Sequence, residues 1–260
     1  MPLKSTSFNE HPLCFGFTWH IGDEAKLAQL VALLLAGHYR HVIKVLGSLP
    51  GVPPPTTEEA IDHLITAMGP PTTNDQRYQR DGWVFQMISW VAAQLLMNKD
   101  VAASIPHPRP SNKGFDGLLV ELTAGGGTLV GVVVCEDKAT ENPRQTIRQL
   151  VWPEFSDCEA GHRDFELQSE ITLALERYGA KNVDTLIQSI FWKGKLKYRI
   201  MITAPKTDSS VARKQLFKNY RDIVGGKYKR RRAEILTLDD LRGWMDAFCK
   251  AVILKLEAVR

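Results

Sequence analysis

Cysteine is scarce in this chain. There are four in 260 residues, at Cys14, Cys135, Cys158 and Cys249, with no CxxC pair among them, which excludes a disulfide scaffold. No apolar run approaches the roughly 18 residues that span a bilayer. The longest apolar-rich stretch, residues 27–35, is interrupted by Gln29 and followed by Gly37 and His38. The N-terminal stretch MPLKSTSFNEHPLC has a lysine but no apolar segment behind it. No secretory signal is therefore expected, and the chain reads as a soluble cytoplasmic protein with reduced thiols and no membrane contact. An excess of one charge sign is also missing. The 33 Lys and Arg stand against 29 Asp and Glu, a formal net charge of +4, which permits nucleic-acid binding without demanding it. There is no GxxxxGK[ST], hence no P-loop for ATP, and no serine or cysteine sits in a nucleophile elbow, which removes support for acyl transfer.

What is present is a globular composition, 44% apolar and 24% charged, too apolar for a disordered chain. Residues 12–20 (PLCFGFTWH) read as a strand. Acidic residues after Gly22 open a helix that ends near Gly37, and residues 39–46 are ambiguous. Three consecutive prolines make residues 47–57 a connector. Thr57 caps a short helix over 57–68, and GPPTTND at 69–75 is a second break. Residues 77–98 carry the strongest helical periodicity, through Trp83, Met87, Trp90, Val91, Gln94 and Leu95. Strands follow at 101–106, 114–122 and 129–138, the last two joined into a hairpin by the glycine-rich turn 124–128. Pro143 opens another helix. A strand at 196–203, a helix at 209–223, a strand at 233–236 and a helix at 239–256 complete the chain. This order predicts an α/β fold, not a bundle or a barrel. It divides into a mainly helical N-terminal extension, 1–76, and an α/β domain, 77–260.

Chemistry concentrates in GFDGLLVEL and GTLVGVVVCEDK. By strand alternation Val132, Val134, Glu136 and Lys138 share one face, while Val133, Cys135 and Asp137 share the other. A strand apolar on both faces that turns charged at its end carries a desolvation cost. In a hairpin centred on Gly126, Asp116 lies opposite Glu136. Two carboxylates and one ammonium then converge. A hard divalent cation, Mg²⁺ or Mn²⁺, relieves the repulsion of paired carboxylates through oxygen ligands and retained waters. An adjacent lysine orients water and stabilises charge growing on a phosphate. These are the requirements of phosphodiester hydrolysis.

An Asp on the second strand and Glu-x-Lys on the third, here Phe115–Asp116 and Glu136–Asp137–Lys138, with a helix before and after, resembles the PD-(D/E)xK nuclease superfamily. The resemblance covers residues 77–152. It implies a restriction-endonuclease-like mixed sheet flanked by helices and a Mg²⁺-dependent endonuclease acting on DNA. Asp116, Glu136 and the carbonyl of Asp137 would be metal ligands, and Lys138 would serve the attacking water. Phe115 replaces the proline of the family pattern. Gln86 stands where members often carry an acid, which favours a single ion. Gln145, Arg148 and Gln149 are candidates for the supporting residue that members carry on the next helix. The resemblance also implies a setting in bacterial anti-phage defence beside a helicase or ATPase subunit, as in Hachiman-type systems. No recognition helix or zinc finger accompanies the core, so specificity is expected from that partner.

Weaker signals remain. The basic run Lys227, Tyr228, Lys229, Arg230, Arg231, Arg232 reads either as a phosphate-contacting loop with Tyr228 stacking on a base or as a solvated loop. Lys193, Lys195, Lys197 and Arg199 alternate along a strand and either widen that surface or mark an exposed edge. His38 and His41 lack further zinc ligands and read as structural. Trp83 and Trp90 share a helical stripe and read as core. The rival to an enzyme is a catalytically inactive module that keeps the fold for nucleic-acid binding or protein interaction. An RNA-directed nuclease is a weaker rival, since no RNA-binding motif is present.

Overall fold

A computed structural model describes residues 1–49, 51–110, 114–188, 195–207 and 209–258. The chain opens with an antiparallel hairpin, β1 (Leu3–Glu10) and β2 (Cys14–Ile21). Helix α1 (Glu24–Leu35) starts at Asp23, whose carboxylate accepts from the Lys26 N–H, so the orphan amide of the first turn is satisfied. After α2 (Tyr39–Leu46), the Thr57 hydroxyl caps α3 (Glu58–Met68) by accepting from the Ala60 N–H. Helix α4 (Asn74–Leu96) leads into a meander of β3 (Val101–Ala103), β4 (Gly117–Leu122) and β5 (Leu129–Lys138). Next come α5 (Pro143–Thr146), a π turn over Ile147–Val151, α6 (Trp152–Ala160), α7 (Asp164–Tyr178) and α8 (Val183–Gln188). The chain continues through β6 (Leu196–Ala204), α9 (Ser210–Leu216), α10 (Tyr220–Ile223), a 3-10 turn at Tyr228–Arg230, β7 (Arg231–Thr237) and α11 (Leu241–Glu257).

The strands form one mixed sheet in the order β1-β2-β7-β6-β5-β4-β3. The pairs β2–β7, β7–β6 and β6–β5 are parallel and the others antiparallel. Alternation sends each strand's side chains to two buried layers. On one face Val132, Val134, Ile200 and Ile235 pack with Trp152, Phe155, Ile171 and Tyr220. On the other, Trp19, Met201 and Leu236 pack with Leu27, Val31, Ile88 and Phe248. Helices thus cover both faces, and the α/β architecture read from the sequence is present.

The N-terminal residues are not set apart from that sheet. Most of their regular structure is helical, but β2 lies alongside β7 and α1 packs on α11. Strand β1 escapes pattern reading because it is an edge strand with most side chains exposed, so it lacks an apolar alternation. The helix expected at 209–223 is broken between α9 and α10, where Asn219 takes a positive φ of 75°. Trp83 and Trp90 are buried, and their indole N–H groups donate to the carbonyls of His107 (2.8 Å) and Ser104 (3.0 Å). They pin the loop that leads into β4.

At Gly16, β2 lies close against Ala233 of β7. A Cβ there would lie 1.6 Å from the Ala233 carbonyl oxygen. Gly16→Ala must therefore part the two strands, and overpacking of this kind costs about 3 kcal/mol. We expect a fall in melting temperature of roughly 10 °C, measured by circular dichroism; an unchanged melt would place β2 away from β7.

Candidate functional site

The hairpin turn uses Gly125 and Gly126 at positive φ, 85° and 74°, a conformation that side chains disfavour. The resulting register pairs Gly117 with Cys135 and Leu119 with Val133. Asp116, one residue before β4, therefore faces Glu136 at the end of β5, as the hairpin centred on Gly126 requires. A bulge at Glu121/Leu122 alters the pairing only on the turn side of Glu121.

The three charged groups meet. The Lys138 ammonium lies 2.7 Å from Asp116 Oδ2 and 2.7 Å from Glu136 Oε2. The two carboxylate oxygens are thus no more than twice that distance apart. The Asp137 backbone N–H also donates to Asp116 Oδ2, at 2.9 Å. Glu136 is 3% exposed. Burial pushes its carboxyl up, to about 8, against the pull of the Lys138 ammonium and with repulsion from Asp116. Burial would lower the Lys138 amine, but Glu136 and Asp116 outweigh it and hold the amine above its ordinary range. Lys138 is therefore a cation at neutral pH. Two of its three N–H donors are engaged by the carboxylates, leaving the third for a ligand.

Asp137 points to the opposite face, as alternation dictates. Ser89 of α4 donates to its Oδ1 at 2.6 Å, and Arg199 of β6 lies 3.4 Å away. The buried Arg199 guanidinium holds Glu234 of β7 more closely, at 3.0 and 2.9 Å, and Trp19 of β2 donates to the same carboxylate at 2.7 Å. Burial opposes ionisation of Glu234, yet Arg199 and Arg232 overcome it and draw its carboxyl down to about 2. Burial wins at Asp137, whose carboxyl is pushed up to about 7. Glu234 is the principal partner of Arg199, and Asp137 is held mainly by Ser89.

Lys138 and Asp116 open onto a cleft of about 520 Å³ outside the carboxyl end of β5, while Glu136 lies behind Lys138 and does not line it. Gln86 lines it and joins two parts of its wall. The amide donates to the Asp116 carbonyl at 2.8 Å, and its oxygen accepts from the His107 N–H at 3.2 Å. Gln86 thus positions the backbone of Asp116. His107, Tyr78, Arg109, Thr146 and Arg242 also line the cleft; sequence reading missed them because the loop and helix starts that carry them have no distinctive period. The Arg163 guanidinium lies 3.8 Å from the Phe115 ring centre and pairs with Glu166 at 2.6 Å, backing the residue beside Asp116.

Other expected site residues lie elsewhere. Gln145 and Gln149 are exposed and bond to each other at 3.1 Å, while Thr146 and Leu150 of the same turns face the cleft. The arginines of the basic run are built into the fold. Arg231 is 1% exposed and donates to the carbonyls of Leu13, Pro12, Val224, Gly225 and Gly226. Arg230 pairs with Glu159 at 2.6 Å, and Arg232 pairs with Glu234. Tyr228 packs edge-on against His11 and Phe15. Arg230, Arg231 and Arg232, expected as phosphate contacts, thus hold partners within the protein, Arg231 buried and the other two half-buried, while Lys227 and Lys229 are exposed. Strand β6 is central rather than an edge, so Arg199 faces the core, Lys197 pairs with Glu121 and Lys195 donates to the Leu129 carbonyl. Lys193 lies outside the described residues. His38 shares a hydrogen bond with Thr56 at 3.0 Å.

Burial keeps the Glu136 carboxyl largely protonated at neutral pH, and a bound cation would displace that proton, so that Glu136 and Asp116 both offer oxygen ligands. Both hydrogen bonds to the Asp116 carboxylate fall on Oδ2. That donor set suits a hard divalent cation. Among the described residues, no group of three or more His, Cys, Asp or Glu side chains is arranged to hold a metal ion. Side-chain ligation at this position would therefore come from Asp116 and Glu136 alone, with backbone and water completing it. Comparison with protein-family models, curated proteins and solved structures returns no match. No helix among the described residues is long and apolar enough to cross a membrane.

Proposed function

We propose that the chain is a Mg²⁺-dependent endonuclease that hydrolyses DNA phosphodiester bonds in the cleft beside Lys138. The observation that carries this reading is the convergence of Asp116, Glu136 and Lys138 on one end of the β4–β5 hairpin, within 2.7 Å of a shared nitrogen. The order of elements supports it as well: helix α4, then three antiparallel strands with the Asp at the start of the second and Glu-x-Lys ending the third, then the helical turns from Pro143.

Asp116 and Glu136 would hold the cation, with the Asp137 carbonyl as the third protein ligand. The cation supplies Lewis-acid polarisation of the phosphoryl group and a more acidic water. Gln86 fixes the backbone that aims Asp116. Lys138 offers its remaining N–H to a non-bridging phosphate oxygen or to the incoming water, neutralising charge as it grows. Water adds to phosphorus and the bond to one sugar oxygen breaks; one proton of that water passes through solvent to the departing oxygen, and the other stays with the new phosphate or is lost to solvent. His107 lines the same cleft but needs no role in this scheme.

The setting beside a helicase or ATPase subunit in anti-phage defence rests on the superfamily resemblance. Co-purification with the products of neighbouring genes tests it. For the chemistry, purified protein is incubated with supercoiled plasmid and Mg²⁺ or Mn²⁺, alone and with those products. Nicking that EDTA abolishes is the expected result. Its absence under all these conditions favours the inactive nucleic-acid-binding or interaction module.

A further inference from the structure

The segment Pro143–Trp152 (PRQTIRQLVW) carries two arginines and two glutamines and no acid. One side of it, Thr146 and Leu150, lines the cleft. Its outward side presents Arg148, Gln145 and Gln149, all exposed. Arg148 has no hydrogen bond or ion pair among the described residues. Arg144, one helical turn earlier, reaches across to the loop before α10. It donates to the carbonyls of Leu216 (3.2 Å) and Lys218 (2.8 Å) and to the Asn219 side chain (3.3 Å). Every one of those partners is uncharged, and Lys218 itself is exposed. Burial draws the Arg144 guanidinium below its ordinary range, and the like charge of Arg148 draws it further down. Arg144 and Arg148 therefore lie near each other and near the Lys218 loop with no carboxylate bonded to either guanidinium among the described residues; the acid that touches this loop, Asp222, accepts from the Asn219 amide at 3.0 Å.

Exposed like charges cost the fold little and set up a positive field that suits a polyanion. The π turn at Ile147–Val151 lies in this wall, and π turns recur at functional sites because they re-aim side chains along a helix. We propose that Arg148 and Lys218, set in place by Arg144, bind the sugar-phosphate backbone of duplex DNA whose scissile bond lies in the cleft. The identity of the ligand rests on the nuclease reading above. The interface itself rests on uncompensated cations with exposed amide donors between them. It is separate from the basic run at 227–232, whose arginines bond to partners within the protein.

The test measures binding to a fluorescein-labelled DNA duplex by anisotropy in EDTA, where no cleavage occurs, at several salt concentrations. Each lost phosphate contact lowers the slope of log affinity against log salt by about 0.9. Arg148→Ala and Lys218→Ala are each expected to lower it by that amount. The doubly reversed variant Arg148→Glu/Lys218→Glu should bind roughly tenfold more weakly or worse at moderate salt. Both positions are exposed, so the melting temperature should not change. Lys227→Ala/Lys229→Ala is expected to bind like the wild type. Equal affinity and slope for wild type and the reversed variant would overturn the interface, as would no binding by the wild type. If binding depends on Arg148 but no metal ever gives cleavage, the interface stands and the nuclease reading falls. If the wild type cuts and the reversed variant binds and cuts equally well, the interface falls and the nuclease reading stands.

Discussion

Arg199→Met is expected to be the most destabilising single substitution in the sheet. Arg199 is buried among β5, β6, β7 and α4, with Glu234 held by two of its nitrogens and Ser89 taking a third bond at 2.7 Å. Methionine matches much of the volume and none of the charge. Glu234 would keep Trp19 and Arg232 but lose its closest cation, in a place fully removed from water. Breaking a buried pair by removing one member costs about 3–5 kcal/mol. The melting temperature should fall by roughly 10 °C or more. Adding Glu234→Gln to Arg199→Met removes the stranded charge, so the double variant should be more stable than the sum of the single losses predicts. The acid limb follows from the same pair. The folded-state carboxyl of Glu234 lies near 2 against an ordinary value of 4.5. Its contribution is complete above 4.5 and disappears as the pH falls toward 2. Denaturant melts across that range should show wild type losing stability more steeply than the double variant. Equal stability of Arg199→Met and wild type would mean that the pair is not formed.

Glu136→Gln and Lys138→Met should each lower metal-dependent nicking by about a hundredfold or more, the usual penalty for removing a group that meets charge in the transition state. The two substitutions separate chemistry from folding. Glu136 is buried with its charged form disfavoured by desolvation, so Gln, which keeps shape and removes charge, should leave the melt unchanged or slightly higher. Lys138→Met takes away the cation between two acids and should lower stability while also stopping cleavage. Gln86→Leu should lower the rate by a smaller factor, since it loosens the backbone of Asp116 without removing a ligand. Equal nicking by wild type and Glu136→Gln would assign the activity to a contaminant.

Much of this site could be read from local rules. Strand alternation placed Glu136 and Asp137 on opposite faces, and a turn rich in glycine fixed the register that sets Asp116 against Glu136. The bounds of β5 and the Thr57 cap follow from the same short-range chemistry. What escaped depends on contacts distant in sequence. A run such as KYKRRR gives no sign that Arg231 will be enclosed by the carbonyls of Pro12 and Leu13, more than 200 residues away. Lys195, Lys197 and Arg199 share a periodicity, but only the order of strands decides that Arg199 faces the core. Gln145 and Gln149 sit one turn apart as expected. The rotation of that helical segment, through its π turn, is what points Thr146 at the cleft instead.

Titration calorimetry with Mn²⁺ tests the central claim most directly, because it asks whether Asp116 and Glu136 share a cation before any substrate or partner is involved. Wild type should bind Mn²⁺ saturably, and the Asp116→Asn/Glu136→Gln variant, folded by circular dichroism, should show no such binding. Undiminished Mn²⁺ uptake by that variant, or none by the wild type, would contradict a metal centre at the end of the β4–β5 hairpin.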